Sequence, residues 1–171
     1  MKKAIKIISL TLALVIALFA FASCGSSSEG GEETEKAADE VKGTEGTWGN
    51  ITLLVPEGMV MTGGNLINED DPDTVNLKKS DDEMTYIIVR IFDEESAKSS
   101  IDMTREINDN CEDLTFEGAG TTWSGVQYDS FGYDIFVVYG ELGEKGVMIT
   151  SCGFKSDSDI IKAVVDSIKL A

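Results

Sequence analysis

The chain has 171 residues, with 14 Lys or Arg against 31 Asp or Glu, a formal charge of −17 at pH 7 and no histidine. Without imidazole there is no Ser-His-Asp or Cys-His nucleophile system, no histidine general base and no His-containing zinc site, which points away from an enzyme. Nucleic acid is excluded as a partner too, because phosphate needs clustered Lys and Arg and the cations here are scattered.

Met1 to Lys6 carries Lys2, Lys3 and Lys6 with no acid, and Ile7 to Ala22 is apolar apart from Ser9 and Thr11. A basic start followed by an apolar run shorter than the ~20 residues of a spanning helix is the layout of a secretory signal. The run ends in Phe21-Ala22-Ser23-Cys24, which resembles a bacterial lipobox, with Phe21 standing where such motifs most often carry Leu. The resemblance implies a signal peptide over residues 1–23 and a diacylglyceryl thioether on Cys24. Acyl chains contributing ~0.8 kcal/mol per buried CH₂ then hold the protein on the outer face of a membrane. Gly25 and the Ser/Glu-rich run after it are similar to lipoproteins of low-GC Gram-positive bacteria.

Residues 25–46 read GSSSEGGEETEKAADEVKGTEG, in which Val41 is the one sizeable apolar side chain. Such a segment cannot bury enough surface to offset its ordering entropy, so residues 24–46 are expected to be a lipidated cysteine and a disordered acidic tether. The remainder, residues 47–171, holds 9 cations and 24 acids and is long enough for one globular α+β domain.

Within that domain, Ile51 to Val55 is β-branched and apolar and stops at Pro56-Glu57-Gly58, which predicts a strand, with Met59 to Met61 following it. Thr74 to Lys79 predicts a short strand. Met84 to Phe92 is apolar on both alternations, as in a central strand covered on both faces. From Asp93 to Asn108 the period changes to that of a helix, with Ala97, Ile101, Thr104 and Asn108 on one stripe and Ser100, Met103 and Ile107 on the next. Leu114–Glu117, Thr121–Trp123, Val126–Phe131, Asp134–Tyr139 and Gly146–Phe154 predict five more strands separated by Gly-bearing turns, including Ser124-Gly125 and residues 140–146. Asp157 to Leu170 predicts a closing amphipathic helix through Ile160, Ile161, Val164, Val165 and Ile168, with Ser156 or Asp157 as N-cap.

This order predicts an α+β fold, a mainly antiparallel sheet of about 6–8 strands packed with two helices. The opening ITLLVPEGM, the TTWSGVQYDSF hairpin and the closing apolar helix resemble the PsbP-like fold, a sandwich found in an extrinsic photosystem subunit and in small bacterial lipoproteins. The resemblance covers residues 48–170 and carries over no functional residue. It implies a binding or assembly module.

Three sets of residues stand out as candidate sites. Glu69, Asp70, Asp71 and Asp73 gather hard oxygen ligands on one loop, the type calcium prefers, although the EF-hand pattern is absent. With Cys24 consumed by lipid, Cys111 and Cys152 remain as an even pair in an oxidising compartment, open either to a disulfide or to a life as buried thiols. Trp123, beside the expected Ser124-Gly125 turn, is a candidate exposed contact for a ligand. The expected function is a non-catalytic, lipid-anchored extracytoplasmic module that binds a protein or small ligand and needs no cofactor. The alternative is an accessory lipoprotein that takes calcium, weakly, or a small solute on the acidic loop.

Overall fold

The computed structural model describes residues 41–65 and 67–171. The expected signal peptide, the expected lipid site at Cys24 and the expected tether up to residue 40 lie outside the described residues.

Strand β1 (Gly43–Trp48) pairs antiparallel with β2 (Ile51–Pro56), from Gly43↔Pro56 to Trp48↔Ile51. Residues 43–46, expected to be tether, are therefore strand. Composition hides this because β1 contributes backbone to the edge of β2, while the burial is done by Ile51 and Leu53 of β2. The other edge of β2 takes β10 (Lys169–Leu170), which completes a three-stranded sheet.

The larger sheet contains β3 (Met59–Gly63), β4 (Thr74–Lys79), β5 (Asp82–Ile91), β6 (Glu112–Gly118), β7 (Thr121–Ser130), β8 (Tyr133–Leu142) and β9 (Lys145–Cys152). Its spatial order is β3-β4-β5-β9-β8-β7-β6, antiparallel throughout. Helix α1 (Glu94–Ile107) connects β5 to β6, and α2 (Asp159–Asp166) lies between β9 and β10. The fold class is α+β, as the element order predicts. Among the described residues the strands number ten: β1 and β10 come from segments read as tether and helix, Met59–Gly63 is a strand of its own, and the two runs read at Thr121–Trp123 and Val126–Phe131 are one strand.

One face of the large sheet carries Val75, Leu77, Ile87, Val89, Phe136, Val138, Val147 and Ile149, and packs on Ile51 and Leu53 of β2 and on Ile161, Val164 and Val165 of α2. The opposite face receives α1 through Ile101, which meets Val126 and Val137. Because α1 lies over β7 and β8, the second face of β5 is only half-covered at Tyr86, Ile88 and Arg90, not sealed as its sequence predicts. The outer stripe of α1 is left in solvent, with Met103 60% and Ile107 74% exposed.

Both helices begin on a side-chain cap. Asp93 Oδ1 accepts from Ser96 N–H at 2.8 Å, and Ser158, one or two residues beyond the expected caps, accepts from Ile161 N–H at 3.4 Å. The closing helix is shorter than its periodicity predicts. The Ser167 hydroxyl donates to Val164 C=O at 2.7 Å and accepts from Leu54 N–H at 2.7 Å, which turns the chain so that Lys169 and Leu170 pair with Thr52 and Ile51.

Ser151 is fully buried between Ile87 and Phe136 in the register, and among the described residues its hydroxyl has no hydrogen-bond partner. A buried polar group without a partner costs about 1–3 kcal/mol. Ser151→Ala is accordingly expected to raise the unfolding temperature in a thermal melt. A fall would mean that the hydroxyl is satisfied in solution.

Candidate functional site

Trp123 is a core residue, not an exposed contact. It is 0% exposed, its indole N–H donates to Gly118 C=O at 3.0 Å, and its ring stacks on Phe116 with centroids 6.4 Å apart. The expected turn beside it does not exist, since Thr121 to Ser130 runs as one strand. The hairpins turn instead at Ala119-Gly120 and Phe131-Gly132, where both residues of each pair have positive φ, the backbone of a type I′ turn.

Of the two fates left open for the cysteine pair, a disulfide or buried thiols, the structure has the second. Cys111 and Cys152 are free thiols. Cys152 lies on β9 and Cys111 immediately precedes β6, with β7 and β8 between them. Three strand spacings put them about 14 Å apart, whereas bridged Cα atoms sit within about 7 Å. Burial pushes both thiols up from their ordinary value, at Cys111 against the opposing pull of Arg105. They are protonated small hydrophobes at neutral pH, and Cys111 leans its Sγ toward Thr104 C=O at 3.7 Å.

Two of the four carboxylates of the acidic loop are engaged in hydrogen bonds within the protein. Asp71 accepts from Asn65 Nδ2 at 2.6 Å, Thr74 Oγ1 at 2.8 Å and Asp73 N–H at 3.0 Å, while Asp73 Oδ1 accepts from Asn50 Nδ2 at 2.8 Å. Glu69 and Asp70 point into solvent. Among the described residues no group of three or more acidic or thiol side chains is arranged to hold a metal ion. The hydrogen bond from Thr74, then that from Asp73, holds the Asp71 carboxyl below the usual carboxylate range. Its unfolded value is near 3.9, so its contribution is complete above that pH and is lost as pH falls through the lower folded value. Asp82 and Asp93, lowered by bonds from Thr85 and from the Ser96 N–H, act in the same direction. Asp71→Asn is therefore expected to lose less stability than the parent chain between pH 5 and pH 3, as followed by urea unfolding.

The feature that the sequence does not announce is a groove of about 720 Å³. Its apolar floor is offered by Phe116 of β6 and by Phe154, both half-exposed, over the buried core residues Leu114 and Phe136, with Phe116 and Phe136 edge to face at 6.3 Å. One wall is the segment Phe154-Lys155-Ser156-Asp157 together with Lys162 of α2. Gly153, at φ 83°, makes that wall by breaking β9, and its N–H donates to Asp134 C=O at 2.8 Å. The other boundary is β6, the free edge of the large sheet.

The rim is acidic. Glu112, Glu117, Asp129, Asp134 and Asp157 face two lysines, Lys155 and Lys162. Asp129 and Asp134 stand directly opposite each other on β7 and β8, and like charges so placed repel. An aromatic floor with surplus negative charge suits a ligand that is cationic and partly apolar, and the charge of the domain as a whole steers such a ligand in. The alternation of Leu114 and Phe116 with flanking acids was visible in the sequence. Their convergence with Phe154 and Lys162, from other elements, was not.

The chain matches no protein-family model and no curated protein. Among solved structures it is similar to a protein from Bacteroides thetaiotaomicron VPI-5482, with 11% identity and a TM-score of 0.47 over 78% of this chain and 49% of that one. The chain thus spans about half the length of that protein. It is also similar to cyanobacterial PsbP (CyanoP) from Synechocystis sp. PCC 6803, with 9% identity and a TM-score of 0.46 over 89% of this chain and 99% of that one.

Proposed function

We propose that this protein is a non-catalytic binding module on a PsbP-like scaffold, held on the outer face of a cell membrane by lipid on Cys24, and that its groove receives a cationic segment of a partner. The observation that carries the binding part is the joining of an aromatic floor to five carboxylates around one concavity. Aromatic surface supplies contact area at low entropic cost, and complementary charge governs encounter rate and partner choice. The lipobox-like Phe21-Ala22-Ser23-Cys24 supports the anchor. No helix among the described residues is long and apolar enough to cross a membrane.

Two experiments test the two parts separately. Expressed in a Gram-positive host, the parent chain is expected in the membrane fraction with a diacylated Cys24 by intact mass, and Cys24→Ser in the soluble fraction. Equal membrane retention of both would sink the anchor. For the groove, Asp129→Asn with Asp134→Asn is expected to weaken binding of a cationic peptide about tenfold, while relief of the facing charges leaves the unfolding temperature equal or slightly higher.

A further inference from the structure

We infer that the ligand of this groove is an extended basic segment that adds to β6 as an eighth strand of the large sheet; the inference rests on the groove reading above. Of the two sheet edges, β3 packs on the small sheet, with Met61 against Gly46 of β1 and the Trp48 indole in the space where a side chain of Gly63 would stand, and it carries no acid to draw a basic segment. The β6 edge is open. Among the described residues no hydrogen bond from another element reaches the backbone of Glu112 to Glu117 on the side away from β7. An edge strand of this kind leaves every second residue with unpaired N–H and C=O groups, the template on which extended peptides dock.

Charge selects the occupant. β6 carries Glu112, Asp113 and Glu117 with no cation of its own, and since Arg105 of α1 already pairs with Asp113 at 2.7 Å, Glu112 and Glu117 supply the charge that is left for a ligand. A second copy of this chain, edge to edge, would set acids against acids, an arrangement that destabilises antiparallel pairs. A basic strand reverses the sign. Because side chains alternate between faces, every second residue of an added strand would point toward the floor beside Leu114 and Phe116, and the rest toward the face that carries Asp113. Seven residues of β6 accommodate a segment about 24 Å long.

The test uses the full chain and a heptapeptide of alternating lysine and valine, followed by amide hydrogen exchange. Binding by strand addition is expected to slow exchange at every second amide between Glu112 and Glu117 by about tenfold or more. The same peptide N-methylated at alternate residues, on the edge that faces β6, is expected to lose that protection and most of its affinity. Binding without alternate protection, or equal binding of the N-methylated peptide, would overturn strand addition while leaving the groove reading intact. No binding of either peptide would overturn both.

Discussion

Trp123→Ala is expected to destabilise the fold by about 3–5 kcal/mol, the range for large aromatic truncations in a core. For a folded part of this size that lowers the unfolding temperature by on the order of 10–20 °C. The indole is fully buried, stacked on Phe116 and bonded to Gly118 C=O. Gly140 lies beneath it so closely that an added Cβ would come within 2.9 Å of the ring. Removal leaves a cavity between two strands whose backbones are fixed by their ladders, so little of it collapses. Trp123→Phe keeps most of the packing but loses the indole hydrogen bond to the Gly118 carbonyl, and a loss of about 1 kcal/mol is expected. Denaturant melts of the two variants separate these contributions, and a loss below 1 kcal/mol for the alanine variant would show that the ring is not seated in the core. Because Phe116 leans on Trp123, the alanine variant should also bind groove ligands poorly at temperatures where it remains folded.

Gly125→Ala is expected to be nearly as damaging, at about 3 kcal/mol, although it adds a single methyl group. A Cβ on Gly125 would fall 2.0 Å from the Val137 carbonyl oxygen and 2.8 Å from Val138 Cα. Those are backbone atoms of the neighbouring strand, so no rotamer change relieves the contact. The control is Gly120→Ala, where nothing lies within 4 Å of the added atom and only the positive φ is strained, at a cost near 1 kcal/mol. If the two variants melt alike, the close approach of β7 and β8 at Gly125 is wrong.

Gly125 also shows where sequence reading succeeds and fails. Beside Ser124 it carries the signature of a turn, and the same missing side chain serves equally to let one strand approach another. Only the partner strand distinguishes the two uses. The turns at Ala119-Gly120 and Phe131-Gly132 fall at or beside breaks between the expected strands, after Glu117 and Phe131, although neither carries the Asn or Asp that usually marks a type I′ turn. Trp123 followed from the same error, since a tryptophan beside a turn is expected near the surface and one in mid-strand is not.

Segments whose structure depends on their own side chains were legible. Thr74–Lys79 is β4 residue for residue, and the helix from Asp93 to Asn108 is α1 with those two residues as its caps. Segments defined by what they pair with were not. The Gly/Glu-rich run at 43–46 becomes strand because β2 has an edge to cover, and Lys169-Leu170 leaves its helical pattern for the other edge. The groove belongs to the second kind: Phe116, Asp134, Phe154 and Lys162 come from four different parts of the chain and meet only once β6–β8 and α2 are in place.

The measurement that bears most directly on the binding reading is a calorimetric titration of the lysine–valine heptapeptide into the full chain, at two salt concentrations. Saturable one-to-one binding that weakens with salt, falls about tenfold in the Asp129→Asn, Asp134→Asn variant and is missing for the glutamate–valine analogue is the predicted result. Equal affinity for the parent chain and that variant, or equal affinity for the two peptides, would contradict it.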